Sequence, residues 1–458
     1  MTSAAGAEEV SENPPAHRTA FVAAVIAYYA AWTVFWMWGP PSLVALLEQI
    51  QNVTPVAILL PGPPYAHFPT PFIDIATIFS WRDCFLQGVD VTVDMPCDPM
   101  LRAPANYSPL VWHLPLEWIG LQNIVATALV IDTLFLLLVF SMFRPQGRAE
   151  CLVMVLAMVS PVTFFALERC NPDVLIFFLL LGAFHLPQKQ GWARAAAYGA
   201  IWTGGLLKFY PFVLLVAALR ERPRQFLILA ATSLAGIAAF FLWQWPYFAR
   251  LILPKELVFG MFGARLLGKG LQQELGLPLM AQTIITVLCF AASYAAMLVL
   301  ARKFAKPVGA LNLLDRNAGA MACGAILTLA CFFSGFNVYY RAIFLLPVIP
   351  CLFDLLRNTK GQPVQKYFGL GLLATVGCLY ADMFGFAGTK ILKLAFRIDP
   401  DSPPGHFATA AILVAKEAVW WLEISLLGGI LIAALPHAQT VKQSLNYVSR
   451  RHRSAAAA

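Results

Sequence analysis

The chain has 458 residues, 59% of them hydrophobic and 12% charged, and a mean hydropathy of +0.69. Soluble domains carry roughly twice that share of charge, so the composition excludes a water-soluble protein and points to a polytopic membrane protein. The net charge of +8 does not signal a nucleic-acid partner, because the basic residues sit in short loops between apolar runs, where they set topology.

Residues 1–18 are polar, with Glu8, Glu9 and Glu12, and read as a disordered cytoplasmic N-terminus without a cleavable signal peptide. A first span covers 20–38. The loop 39–116 is the longest break between apolar runs and holds Glu48, Asp74, Asp83, Asp90, Asp94 and Asp98 against Arg82 and Arg102. Within it Ile75, Ile78, Phe79, Phe85 and Leu86 recur at helical spacing. This predicts an amphipathic helix over 71–87 on the membrane surface, with Asp74 at its start. Cys84 and Cys97 share the loop and could pair in an oxidising compartment.

Spans follow near 118–143, 151–167 and 172–186. The stretch 193–220 is too long for one upright span and is interrupted by Lys208-Phe-Tyr-Pro, so it reads as two short helices meeting at Lys208. Further spans lie near 226–248, 281–301, 318–334, 342–356, 368–386 and 418–435. The fold class is all-α: one domain over 19–440 with about 11–13 transmembrane helices, then a basic cytoplasmic tail over 441–458. Basic clusters at Arg144/Arg148, Lys189/Arg194, Arg220–Arg224, Arg302–Lys306, Arg357–Lys366 and Lys442–Arg453 then share one side. That side is the cytoplasm, and both termini lie there.

The remaining polar groups converge on the outer side: the Asp74 loop, Glu168-Arg-Cys-Asn-Pro-Asp173, Lys208-Phe-Tyr and Asn337-Val-Tyr-Tyr-Arg341, joined by long loops at 250–278 and 387–415. Glu168, Arg169, Asn171 and Asp173 form a dense polar knot. For Glu168 and Asp173 a salt-bridged turn explains the pattern equally well, whereas Arg169 or Asn171 suits a cavity. Lys208 at a helix break suits an anion, against the alternative of a lysine snorkelling to the interface. Arg341 opens a helix, where a cation opposes the dipole and structure gives little reason for it. Asp74 is either a helix-start charge or a base that takes a hydroxyl proton. Asp83 and Asp90 compete with it, and Arg82 follows it on the same helix. His113 reads as a structural interfacial residue.

Asp74 with Phe79, Gly88 and Asp90, then Asn106-Tyr107-Ser-Pro, Glu168-Arg-Cys-Asn-Pro-Asp-Val-Leu and Gly204-Gly-Leu-Leu-Lys-Phe-Tyr-Pro, give the chain a likeness. It resembles the membrane-embedded GT-C glycosyltransferases, and within them family 87, the polyprenol-phosphate-mannose-dependent alpha-mannosyltransferase type of bacteria. The resemblance covers about 71–222, and the C-terminal half matches in topology. It implies a GT-C-like bundle in a bacterial inner membrane, Asp74 as general base, and Lys208 beside the donor phosphate. Where related sequences often have Ser-Trp-x-His, this chain has Asn337-Val-Tyr-Tyr-Arg341, with Arg341 in the histidine's place.

The expected function is inverting transfer of a sugar, mannose or another hexose or pentose, from a polyprenyl-phosphate donor to a lipid or glycan acceptor. Asp74 is the base; Lys208, Arg341, Arg169 and Tyr210 hold the phosphate. Arg82, Asp83, Asn106, Tyr107, Glu168, Asn171, Asp173 and Tyr340 are further pocket candidates. The lipid chain would lie against Leu251, Ile252, Leu257, Val258, Phe259 and Phe262. No metal or other cofactor is required, and the partners are membrane lipids, the lipid-linked sugar and the acceptor. A transporter or flippase of polyprenyl lipids or solutes is the alternative, and a catalytically silent scaffold a third.

Overall fold

Where no water is present every backbone N–H and C=O must be bonded within the protein, so apolar runs of bilayer length fold as helices. The structure, a computed structural model, describes residues 14–38, 72–93, 95–97, 107–113, 121–185, 192–250, 259–311 and 315–444. Among these residues the chain is helical apart from one pair of two-residue strands. In order the helices are α1 (Pro14–Trp38), α2 (Ile73–Leu86), α3 (Leu110–His113), α4 (Ile124–Met142), α5 (Arg148–Met158), α6 (Pro161–Glu168), α7 (Pro172–His185) and α8 (Trp192–Lys208). A 3₁₀ helix (Tyr210–Arg220) leads to α9 (Pro223–Trp243), α10 (Trp245–Phe248), strand β1 (Met261–Phe262), α11 (Leu266–Leu275), α12 (Leu279–Gly309) and α13 (Arg316–Ser334). Strand β2 (Asn337–Val338), a 3₁₀ helix (Tyr339–Leu345), α14 (Val348–Asn358), α15 (Gln365–Leu394) and α16 (Pro403–Ala434) complete it.

Among the described residues six helices are long and apolar enough to cross a bilayer: α4, α9, α12, α13, α15 and α16. Two bent pairs raise the number to as many as eight: α5 with α6, at 43°, and the 3₁₀ helix Tyr339–Leu345 with α14, at 40°. This is a polytopic membrane protein, and among the described residues it has fewer full spans than expected. The expected span at 172–186 is a helix of 14 residues, and 193–220 splits into pieces of 17 and 11. At 1.5 Å per residue in an α-helix and ~2.0 Å in a 3₁₀ helix, none of these described pieces reaches ~30 Å of hydrocarbon alone. The spans α4, α9 and α12 bury only 17%, 11% and 17% of their most apolar windows against protein, so they form the lipid-facing layer. The spans α13, α15 and α16 bury 67%, 56% and 67% and form the centre. Along α12 and α16 the contact is close because Gly428 and Gly429 carry no side chain. A Cβ there would lie 2.5 Å from Met297 Sδ and 2.7 Å from Leu300 Cβ.

Several boundaries shift. Residues 14–18 are the first turns of α1, with prolines suited to a helix start, rather than part of a disordered tail. The expected loop 387–415 shrinks to 395–402, because α15 and α16 run 30 and 32 residues, past bilayer length. The loop 250–278 contains β1 and α11. Helix α2 lies where periodicity placed it, but it is no surface amphipath. Ser80 and Arg82 are buried along with Ile75, Ile78 and Phe79, so protein covers its polar face as well. Cys84 at its end is disulfide-bonded to Cys97, with Cα atoms 5.5 Å apart.

The charges sort to two ends. Arg194, opening α8, bonds Glu221 at 3.1 Å, and Glu221 ends the following 3₁₀ helix. Lys208, 14 residues on, is therefore ~21 Å away at the apex of a folded-back hairpin. The α5–α6 run goes from Glu150 to Arg169, and the Tyr339–α14 run from Arg341 to Arg357. Arg357 pairs with Glu150 at one end, while Arg169 and Arg341 both reach the Lys208 end.

Candidate functional site

The site starts from two helix termini that satisfy each other. The last carbonyls of α6 and the first N–H groups of α2 lack partners within their own helices. Phe72 N–H donates to Glu168 O at 2.7 Å and Asp74 N–H to Arg169 O at 3.1 Å. This fixes Asp74, in the first turn of α2, over the α6–α7 corner.

That corner closes α6 with a pair of bonds, Asn171 N–H to Ala166 O at 3.0 Å and Cys170 N–H to Leu167 O at 2.8 Å. The pattern is a Schellman motif, whose left-handed position usually takes glycine. Here Cys170 holds it, at φ 44°. Asn171 then caps α7: its Oδ1 accepts the Asp173 N–H at 2.9 Å, with Pro172 between them as the first helical residue. Phe209, breaking the chain after Lys208, sits at φ 60° and ψ −51°, close to a strained classic γ-turn. Four non-glycine residues have positive φ among those described: Phe72, Cys170, Phe209 and Arg397. Three of them frame this one site, as strain at functional sites often does.

Asp74 accepts Arg169 Nε at 3.0 Å and Nη2 at 2.5 Å, and Asn171 Nδ2 at 2.5 Å. The amide turns its other face to Lys208, whose Nζ lies 3.1 Å from Asn171 Oδ1. Asp173, fully buried, gathers the rest: Lys208 Nζ at 2.8 Å, Tyr210 OH at 2.8 Å and Arg341 Nε at 3.2 Å. Arg341 Nη1 also bonds Asn337 Oδ1. Aromatic faces wall the cations: Tyr107 4.5 Å and Tyr340 5.8 Å from Lys208, Tyr210 5.1 Å from Arg341, and Phe165 5.1 Å from Arg169. Burial raises the Tyr107 phenol well above its ordinary range, so it faces Lys208 as a neutral ring. Three cations against two carboxylates leave the network at +1.

Asp74, Arg169, Asn171, Asp173, Lys208, Tyr210, Arg341, Tyr107 and Tyr340 thus come together. Glu168 contributes its carbonyl, and its carboxylate has no hydrogen bond among the described residues. Arg82 and Asp83 do not join. They lie 4.0 Å from each other and eight or nine residues along α2, ~12 Å from Asp74. Asp90 pairs with Arg250 at 3.1 Å, and the Thr92 hydroxyl and N–H hold its carboxyl below the ordinary range. Phe262 is no lipid wall: it stacks on Trp420 at 4.3 Å in the core. Asn106, Glu48, Asp94, Asp98, Arg102 and residues 251–258 lie outside the described residues, as does the side chain of His113.

One device escaped sequence reasoning. Lys416 on α16 and Asp382 on α15 pair at 2.7 Å, both nearly inaccessible. Lys416 Nζ donates to Met261 O at 2.5 Å and Asp382 accepts Gly260 N–H at 2.8 Å. The pair thereby pins β1, which bonds antiparallel to β2, Phe262 opposite Asn337. Asn337 in turn orients Arg341. Only the pairing of distant segments reveals the link, although a lysine inside a span-length apolar run is a signal in its own right. Among the described residues no group of three His, Cys, Asp or Glu converges on a metal-sized point. Compared with protein-family models, curated proteins and solved structures, the chain matches none of them.

Proposed function

We propose that this is an inverting membrane glycosyltransferase of GT-C-like architecture, using a polyprenyl-phosphate sugar and working at the end of the bundle opposite the basic clusters. The observation that carries the reading is Asn171, whose amide binds Asp74 on one side and Lys208 on the other. It joins a carboxylate able to accept a hydroxyl proton to a cluster of cations able to receive a departing phosphate. Asp74 takes three hydrogen bonds and keeps one of its four lone-pair directions, on Oδ1, for an acceptor hydroxyl. Arg341 keeps Nη2 without a partner among the described residues, and Lys208 turns its remaining N–H toward the Tyr107 face. Attack of the acceptor oxygen on the anomeric carbon expels the lipid phosphate, and Lys208 and Arg341 stabilise the charge that develops on it. Asp173 holds both cations in place beforehand, so little reorganisation accompanies the step.

Binding of polyprenyl phosphate, the leaving group alone, tests the cation half. Arg341→Gln should weaken it about tenfold to a hundredfold, the size of a charge-assisted hydrogen bond. Equal affinity for wild type and variant would remove Arg341 from the site. Transport of a lipid or solute is the second reading, and one feature favours it. Glu417 and Glu423 are fully buried on α16, and among the described residues three of their four carboxylate oxygens have no hydrogen bond, with Lys416 Nζ 3.7 Å from Glu417 Oε1, as in spans that carry protons or ions. Proteoliposome uptake without covalent product would decide for it.

A further inference from the structure

At the basic end, the segment after α12, the start of α13 and the middle of α14 line an open cleft of about 360 Å³, with Leu311, Asp315, Arg316, Asn317, Cys351 and Asp354 among its walls. Cys151 Sγ on α5 lies 3.6 Å from His17 O on α1, and Asn317 Nδ2 on α13 lies 2.8 Å from Asp354 Oδ2 on α14, tying the helices in pairs. Arg316 opens α13, and among the described residues its Nε and Nη2 are buried without a hydrogen-bond partner. Arg144, from the α4–α5 turn, and Arg18, from α1, add positive charge in its neighbourhood. The nearby acids are already engaged. Glu150 accepts Arg357 Nη1 and, at 2.9 Å, Gln146 N–H; Asp354 accepts Arg357 Nη2 at 2.5 Å and Asn317 Nδ2 at 2.8 Å. Asp315 is exposed at the lip.

Two buried guanidinium nitrogens without a partner, near two further arginines, are costly as they stand. Nε and Nη2 are the parallel pair with which arginine grips two oxygens of one anion. We propose that the cleft is a binding site for a phosphate ester: Arg316 grips two phosphate oxygens, and Arg144 and Arg18 contribute positive charge nearby. The ester is that of a phospholipid headgroup at the membrane surface or of a small soluble phosphate. The volume suits a headgroup-sized ligand. This site is separate from the Asp74 site and does not depend on the reaction proposed there.

The test uses the full chain in nanodiscs of phosphatidylcholine, with and without phosphatidylglycerol, and separately with added inorganic phosphate. Thermal-unfolding midpoints and the lipids retained in native mass spectrometry are read. Wild type should be stabilised, Arg316→Gln should need about tenfold more of the same ligand, and Arg316→Lys should lose less. Should Arg316→Gln fail to fold, the exposed Arg144→Gln should still show a weakened response. Stabilisation by phosphatidylglycerol alone assigns the site to a lipid, and stabilisation by inorganic phosphate as well assigns it to a small ester. No stabilisation of wild type by either, or Gln variants that respond as wild type does, would overturn the proposal.

Discussion

At the scale of single residues, Asp173 is the least replaceable member of the site. It is the shared counter-ion of Lys208 and Arg341 and accepts the Tyr210 hydroxyl as well. Removing one partner of a buried ion network leaves charge uncompensated, at ~3–5 kcal/mol. Asp173→Ala should therefore lower stability by about that much in denaturant unfolding. Asp173→Ala combined with Lys208→Met should recover at least ~1 kcal/mol of it, since the orphaned cation is gone. Additive losses would mean that the two residues do not interact. The sequence made Asp173 and Glu168 look alike, two acids around Pro172, because spacing cannot say which carboxylate faces inward. The α6–α7 corner decides it. Capping by Asn171 turns Asp173 into the network, while Glu168 offers only its carbonyl.

At the scale of elements, the site depends on corners that the chain turns against its own preference. Cys170 occupies a left-handed position at φ 44° with almost no exposed surface. A β-branched residue fits that backbone badly, whereas glycine fits it freely. Cys170→Val should cost about 2 kcal/mol or more, and Cys170→Gly no more than about 1 kcal/mol. Equal effects would mean that packing rather than backbone strain governs the corner. The break at Lys208-Phe-Tyr-Pro was legible because Pro211 and a lone lysine interrupt an apolar run. The Cys170 corner was not, since cysteine carries no turn signal. The clamp on β1 was hidden for a different reason: Asp382 and Lys416 lie 34 positions apart, and Lys416 precedes the expected start of its helix at 418. Lys416→Met should loosen β1 and, through Asn337, the aim of Arg341. Faster hydrogen exchange at Gly260 and Tyr339 would show it, and unchanged exchange would leave β1 held by its other contacts.

At the scale of the whole molecule, the sorting of charge to two ends was read from the basic loops alone. The Arg194–Glu221 and Arg357–Glu150 pairs fit it, because each joins chain segments that leave the opposite end separately. The number of helices was legible less well, since hydropathy counts apolar residues and does not register the bends that shorten α5, α6 and α14. Single cysteines placed by Arg194→Cys and Arg222→Cys, in a chain otherwise free of reactive thiols, should label from one membrane face. Arg250→Cys should label from the other; all three labelling together would break the hairpin. The most direct measurement is turnover of the purified chain with labelled polyprenyl-phosphate hexoses and pentoses. The account predicts product of inverted anomeric configuration, at least about a thousandfold less of it from Asp74→Asn, and polyprenyl phosphate still bound by that variant. Undiminished product from Asp74→Asn would contradict it.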